Sequence, residues 1–282
     1  MNEQGQASHD IDRLAALLRH GPFAAITGAG LSTASGIPAY RDEHGQWQHA
    51  RPIQHQAFLT SETVRRRYWA RSFLGWPRIK ACQPNAGHTA LAMLEQQGWL
   101  TGLITQNVDG LHQKAGSQTL IELHGALAEV VCLSCRTRLP RSTLQAQLDA
   151  SNAGFSPVMS SQAPDGDVHL EDSAYAAFQP PVCPECAGIL KPDVVFFGDN
   201  VPRDRVQAAT HMVAQAHGLI VVGSSLMVYS GFRFADLAHK LGKPVVAINH
   251  GITRADSMLT VKIDQECAAT LINLTQILQR AP

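Results

Sequence analysis

The chain has 282 residues, 45% of them hydrophobic, enough for one large domain or a large domain with a smaller one inserted. Its 23 basic and 23 acidic side chains cancel, which argues against a broad electrostatic surface for nucleic acid and leaves room only for a local basic patch. No apolar run reaches the roughly 20 residues of a membrane span, and Met1 to Asp10 lack the basic and apolar stretches of a leader, so a cytoplasmic protein without membrane partners is expected.

Ile11 to Leu18 repeat apolar positions at helical spacing, and Gly21-Pro22 stop them. Phe23 to Ile26 predicts a buried strand. It leads into the stretch Ile26 to Arg41, I-T-G-A-G-L-S-T-A-S-G-I-P-A-Y-R, around which the chain is organised. Gly28 and Gly30 leave no side chains above the strand end, so backbone N–H groups can approach an anion such as a dinucleotide pyrophosphate. Thr33 stands where the third glycine of the dinucleotide fingerprint belongs, and a plain strand-to-helix turn carries the same G-x-G. Gly36 and Pro38 break a helix, so an irregular loop carrying Tyr40 and Arg41 is expected.

Gly45 to Pro84 hold three of the four tryptophans, an arginine cluster (Arg65, Arg66, Arg67, Arg71) and few β-branched residues. This reads as a small helical module ending near Pro77 or Pro84, with the arginines on a solvated face. Asn85 to Gln97 form the next helix, closed by Gly98. A strand from Leu100 to Thr105 delivers Gln106-Asn107-Val108-Asp109-Gly110-Leu111-His112, and a short one from Leu120 to Leu123 delivers His124-Gly125. Open α/β sheets put ligands at such strand ends. Two amides and a carboxylate there can bind ribose hydroxyls and a carboxamide, or simply cap a polar turn. A histidine in this place is a proton-transfer group or a satisfied structural residue, and His112, at a helix start, fits the second description.

Val130 to Lys191 interrupt the rhythm with Cys132-x-x-Cys135 and Cys183-x-x-Cys186. In a reducing compartment such pairs indicate metal rather than disulfides. Two thiolates at i and i+3 suit one ion, and the second pair completes a closed tetrahedral shell with no place for water, hence structural zinc. The 47 residues between Cys135 and Cys183 exceed ribbon spacing and leave two unrelated turns as the alternative. Ser151 to Asp172, rich in Ser, Gly, Pro and Asp, read as a long surface loop, either a mobile segment or a disordered spacer. After Pro192, Val194 to Phe197, Leu219 to Val222 and Val245 to Ile248 read as buried strands. They alternate with helices near Arg203 to Ala216 and Phe232 to Leu241, and a last helix runs from Cys267 to Leu278. Gly223-Ser224-Ser225-Leu226 and Asn249-His250-Gly251 follow strands and offer donors to phosphate or ribose, although generic loops have the same composition. Cys82 and Cys267 are isolated. The expected fold is α/β: a Rossmann-like parallel sheet flanked by helices over residues 1–44, 85–129 and 193–282. A smaller inserted part combines a helical module (45–84) with a four-cysteine zinc module (130–192).

The long glycine stretch, T-Q-N-V-D-G-L-H from Thr105, His124-Gly125, G-S-S-L and N-H-G together resemble the sirtuins, the NAD-dependent protein deacylases, over nearly the whole chain. The resemblance implies NAD contacts from Gly28, Ala29, Gly30, Ser32, Ile37, Pro38, Tyr40 and Arg41, and from Gln106, Asn107, Val108 and Asp109. It extends them to Gly223, Ser224 and Ser225, to Asn249, His250 and Gly251, and to the backbone of Cys267. It gives catalytic roles to His124 as general base for a ribose hydroxyl, to Asp109 as holder of the nicotinamide carboxamide, and to Asn107 as orienter of ribose and a water. The four cysteines would hold one zinc that organises the small domain and stays outside the chemistry.

The implied reaction consumes NAD. The acyl oxygen of a modified lysine attacks the anomeric carbon as nicotinamide leaves, and lysine and O-acyl-ADP-ribose are released. Acyl-lysine proteins are the implied partners, lying extended between the two domains. Mono-ADP-ribosyl transfer, lipoamidase action and a non-catalytic NAD-binding zinc module stand as alternatives. R-P-I-Q-H from Arg51, R-Y-W-A-R from Arg67, A-P-D-G-D-V from Ala163, L-K-P-D-V-V-F-F-G-D from Leu190 and G-S-S-L-M-V-Y-S-G from Gly223 resemble class II, which includes a mitochondrial animal member and many bacterial proteins. Tyr68 and Arg71 have the Y-x-x-R spacing with which class III members bind acidic acyl groups, but their neighbours fit class II and that role is not carried over.

Overall fold

A computed structural model describes residues 3–48, 52–157 and 175–280. In chain order it contains α1 (Glu3–Leu18), β1 (Phe23–Thr27), α2 (Ala29–Ser32), α3 (His55–Thr60), α4 (Glu62–Ala81), α5 (Ala86–Gln96) and β2 (Leu100–Thr105). Next come α6 (Leu111–Lys114), β3 (Leu120–Glu122), β4 (Gly125–Cys132), β5 (Arg138–Pro140), α7 (Arg141–Ser151) and β6 (Leu190–Val194). The chain closes with α8 (Arg203–Gln215), β7 (Gly218–Val222), α9 (Tyr229–Lys240), β8 (Val245–Ile248), β9 (Val261–Ile263) and α10 (Cys267–Gln279).

Six strands form a parallel sheet in the order β3-β2-β1-β7-β8-β9. The order reverses between β1 and β7, and such a switch point opens a crevice at the carboxyl ends of the strands. Every residue of β1, β7 and β8 is buried, as their unbroken apolar runs require of strands covered on both faces. One face packs Leu14 and Leu18 of α1, Leu91 and Leu94 of α5 and Leu271 and Leu274 of α10. The other packs Ala209 and Val213 of α8 and Phe234 and Ala238 of α9.

A three-stranded antiparallel sheet, β5-β4-β6, stands apart from it. Val194 to Phe197 therefore do not form a strand of the parallel sheet, as their apolar run suggested. The strand is Leu190–Val194, paired with β4 from Leu190↔Cys132 to Val194↔Gly125, and it leaves the sheet where Val195 N–H donates to His124 O at 2.8 Å. An aromatic-rich core of Phe58, Tyr68, Trp69, Phe73 and Phe178 joins α4 to this sheet.

Pro77 lies inside α4 instead of ending it. A proline cannot donate to the carbonyl four residues back, and Gln145 Nε2 from α7 donates to that Phe73 carbonyl instead, at 3.2 Å. The arginine cluster is not a solvated face either. Arg65 Nη1 caps the end of α3 through the carbonyls of Phe58 and Leu59, at 3.0 Å each, and the Nε atoms of Arg66 and Arg67 are buried. Most of the 151–172 stretch, the A-P-D-G-D-V segment and Arg51 lie outside the described residues.

Candidate active site and metal centre

The crevice at the switch point is a cleft of about 1030 Å³. It brings together Gly28, Ala29, Gly30, Ser32, Ile37, Tyr40 and Arg41 with Gln106, Asn107, Val108, Asp109 and His124. Gly223, Ser224, Ser225, Asn249, His250 and Cys267 complete it, while Pro38 and Gly251 do not line it.

The glycine loop is built differently from the expectation. The N–H groups of Gly28 and Gly30 are already donated, to Val222 O at 3.1 Å and Gly223 O at 2.8 Å, so these two amides are not free for an anion. They are glycines because the loop presses against the end of β7. A Cβ on Gly28 would lie 2.7 Å from the Ser224 Cβ, and one on Gly223, at φ +58°, would lie 2.3 Å from Leu31 N. The loop continues through α2 and a 3-10 turn (Thr33–Ser35) to Gly36 at φ +84°. Tyr40 and Arg41 then enter a small hairpin, with Arg41 bridged to Trp47 and its guanidinium 4.1 Å above the Trp47 ring.

Behind the loop lies a partly buried polar network. Ser32 Oγ donates to Asp109 Oδ2 at 2.8 Å, and Asn107 Nδ2 donates to Ser32 Oγ at 3.1 Å and to Gly28 O at 3.0 Å. Asp109 Oδ1 accepts from Leu111 N at 2.9 Å. The carboxylate and the amide are thus oriented before any ligand arrives. Gln106 Nε2 donates to Ser224 Oγ at 2.7 Å, tying the β2 end to the β7 end. His88, which the sequence reading did not single out, closes the N-terminal capping box of α5: Asn85 N–H donates to its Nδ1 at 3.3 Å. Burial pushes it down to about 4, with Asp109 opposing. Its ring lies edge-on to that of His112, 5.0 Å away. His112 is buried, with Nε2 2.9 Å from Thr27 Oγ1, and burial, then His88, push it down to about 3. It is the structural histidine its position suggested.

His124 faces the cleft. Its Nδ1 lies 3.0 Å from Gln106 O, and a carbonyl can only accept, so Nδ1 carries the proton. The lone pair of the neutral ring is therefore on Nε2, where it accepts from Ser230 Oγ at 2.8 Å. Burial lowers its proton affinity below the ordinary histidine value, the Gln106 carbonyl opposes this and Arg205 adds to it. The ring is thus a neutral base aimed into the cleft. Ser230 was legible only as part of V-Y-S-G, with no spacing rule to mark it.

At the far end, His250 bridges two carboxylates, Nε2 to Glu43 at 2.9 Å and Nδ1 to Asp264 at 2.9 Å. Cys267 opens α10 with its thiol pushed up to about 12 by burial, and is inert there. Asn249 Nδ2 donates to His250 O at 2.9 Å.

The two cysteine pairs meet. All four sulfurs lie within 4.8 Å of one another, with Cys132 and Cys183 buried and Cys135 and Cys186 exposed. Both pairs use the same turn. Arg136 and Ala187, each following a second cysteine, adopt left-handed backbone (φ 66° and 56°) and donate to the carbonyls of Cys132 and Cys183. A Cβ on Gly188 would lie 2.6 Å from Ser134 Oγ and 2.9 Å from Ser134 Cβ, so a side chain there would push against the facing turn. Four converging soft thiolates fit zinc in a closed structural shell.

The Sir2 family model matches residues 28–230. An NAD-dependent protein deacetylase of Xanthomonas axonopodis pv. citri (strain 306) is 53% identical over 253 residues, covering 90% of this chain and 86% of that protein. A solved structure of Sir2 bound to acetylated peptide superimposes with a TM-score of 0.76 at 26% identity, over 96% of this chain and 99% of that one. One of Sir2 with p53 peptide and NAD+ gives 0.73 at 26% identity, over 95% and 98%. With the glycine loop, the His124 base and the four-cysteine centre in one chain and a family match over most of its length, the protein belongs to the Sir2 family, the sirtuins.

Proposed function

We propose that this chain is an NAD-dependent protein-lysine deacetylase. The observation that carries the reading is the aim of His124: a neutral ring, proton on Nδ1, lone pair of Nε2 turned into the cleft at the strand switch point. NAD supplies the acceptor: cleavage of its nicotinamide–ribose bond lets the lysine acyl group pass to ADP-ribose, and one water completes the release of nicotinamide, lysine and O-acyl-ADP-ribose. His124 Nε2 takes the ribose hydroxyl proton, exchanging Ser230 Oγ–H for the substrate O–H. Asp109, held by Ser32 and Leu111 N, meets the carboxamide, and Asn107 orients the ribose.

The remaining contacts of the resemblance are proposed in the same sense: Gly28 and Gly30 by close approach rather than by their own N–H groups, Ser224 and Ser225 toward phosphate, and Asn249 toward the adenine ribose. The thiolates of Cys132, Cys135, Cys183 and Cys186 would hold zinc, which ties the small sheet together. The division into a nucleotide-binding part (1–44, 85–129, 193–282), a helical module (45–84) and a zinc module (130–192) is also proposed, supported by separate cores on the two sheets. Class II membership rests on L-K-P-D-V-V-F-F-G-D and G-S-S-L-M-V-Y-S-G. No helix among the described residues is long and apolar enough to cross a membrane, which suits the cytoplasmic location we propose.

The test is nicotinamide release with acetyl-lysine peptide present and absent, with the acyl product identified by mass. Peptide-dependent release with O-acetyl-ADP-ribose is expected. A folded protein that binds NAD but releases no nicotinamide with any acyl peptide would be a sensor, and the reading would fall.

A further inference from the structure

Two arginines, Arg233 in the cleft wall and Arg254 packed on the same Tyr229 ring, have no acidic partner among the described residues. Arg233, one turn into α9, lines the cleft. Its guanidinium carbon lies 5.1 Å from the Tyr229 ring centre, and its Nε is buried with no acceptor. Arg254 lies over the same ring at 5.8 Å and over Phe232 at 4.4 Å, and its Nη1 donates only to a carbonyl, Met227 O, at 3.2 Å. Between them Tyr229 is 55% exposed and the adjacent Val228 is 38% exposed. The carboxylates that line the cleft are engaged elsewhere: Asp109 by Ser32, Glu43 and Asp264 by His250, Asp199 by His55 at 3.3 Å, Asp42 by the N–H groups of His44 and Gln46, and Glu266 by those of Ala268 and Ala269. One rim is therefore cationic and aromatic in a chain of zero net charge.

Ser230 fixes where this rim stands relative to the chemistry. It follows Tyr229 and touches the reactive nitrogen of His124 at 2.8 Å. Val228, Tyr229, Ser230 and Arg233 line the same cleft as His124, so this rim borders the space an acyl-lysine reaching His124 would occupy. A half-desolvated guanidinium without a counter-charge gains most from an arriving carboxylate, and its planar fork matches one. Resting on the deacetylase reading, we propose that this rim selects acyl-lysines flanked by an acidic residue, whose carboxylate sits against Arg233 while Arg254 adds to the field.

The test uses acetyl-lysine peptides identical except for Glu, Gln or Lys beside the modified residue. The expected order of kcat/KM is Glu above Gln above Lys, about five-fold per step at low salt, the scale of a well-formed rim ion pair, shrinking as salt rises. Arg233→Gln should flatten the order and Arg233→Glu invert it. Arg254→Glu, on an exposed side chain, should move it the same way by less. A flat order with the native protein, or one that survives Arg233→Glu, overturns the proposal. So does an Arg233→Gln protein whose KM for NAD rises equally with every peptide, since that marks a dinucleotide contact. Fluorescence anisotropy of the same peptides separates the two readings. If the Glu-over-Lys order persists in binding while no peptide turns over, the deacetylase reading fails and the rim stands. If binding is flat, the rim fails whatever the turnover.

Discussion

The cleft and the zinc sheet bury basic nitrogen in opposite ways. Behind the cleft, His88 and His112 are pushed down to about 4 and about 3 and stay neutral, bonded to Asn85 N and Thr27 Oγ1. Around the zinc sheet, the nitrogens stay cationic. Arg141 is buried against the rings of Trp69 and Trp76, at 5.6 and 5.4 Å, and donates to Gln145 Oε1 at 2.7 Å and Ser72 O at 3.2 Å. Lys191 lies 4.4 Å from the Phe196 ring centre and donates to the Val194 carbonyl, and burial brings it down to only about 8. Arg141 itself falls only to about 10. Asp199 and Asp193 oppose the burial of Lys191, and Tyr68 and Asp149 oppose that of Arg141, while the ring faces and carbonyls they touch give both groups further partners. A neutral network holds Asp109 still and leaves His124 as a base. A cationic, aromatic core has no such duty and needs an outside staple.

Removing that staple is the largest expected effect. Structural zinc contributes roughly 10–16 kcal/mol of apparent binding energy in finger peptides, so Cys183→Ala should lose the metal and unfold the small sheet. Metal content and hydrogen exchange check this. The sharper question is whether β1, β2, β7 and β8 keep their protection. If they exchange as fast as β4, the two regions fold as one and the contrast between them is broken.

Next comes the base. His124→Ala should lower deacetylation by about 10²–10⁴, the scale of a lost general base. NAD affinity should hold, and labelled-nicotinamide exchange should survive better than deacetylation because it precedes proton removal. Asp109→Ala should depress both activities together. Near-native deacetylation by folded His124→Ala protein would remove the base from the cleft side of the comparison.

The smallest effect is on acid stability. The free-chain value for histidine, 6.5, lies above the folded values of about 4 for His88 and about 3 for His112. Below 6.5 the unfolded chain takes up protons that the folded chain refuses. Their contribution to stability is therefore complete above that pH and is lost as pH falls toward 4 and 3. The thermal midpoint should drop across this window, and His112→Asn should make the drop shallower. An unchanged slope would show that the two histidines behind the cleft are not the neutral pair described.

The parallel sheet was legible because β1, β2, β7 and β8 are short apolar runs bounded by turn residues. β9 escaped because Val261–Ile263 is three residues with a lysine at its centre. β6 was misplaced because Lys191-Pro192-Asp193 breaks its apolar pattern, and the run that follows it looks more strand-like than the strand. α7 carried a signal in Leu144 and Leu148, four residues apart and both buried. In the cleft, residues within contiguous motifs were found, whereas Ser230, Arg233 and His88 arrive from separate elements. Of these only Asn85-x-x-His88 had a readable pattern, its capping box. The glycines were found for a partly wrong reason, since close packing against β7 demands them as much as any ligand does.

Pro77 and Gln145 are bound together across two helices, because the carbonyl that the proline abandons is the one the glutamine takes up. The pair is a lock written in two places. A chain that regained an N–H at position 77 would make the Gln145 amide redundant at Phe73. A chain that kept Pro77 but lost Gln145 would strand a carbonyl beside the buried Arg141. Among diverging descendants of this sequence the two positions should therefore change in company, and reconstructed intermediates carrying only one of the changes should be the less stable steps on the path.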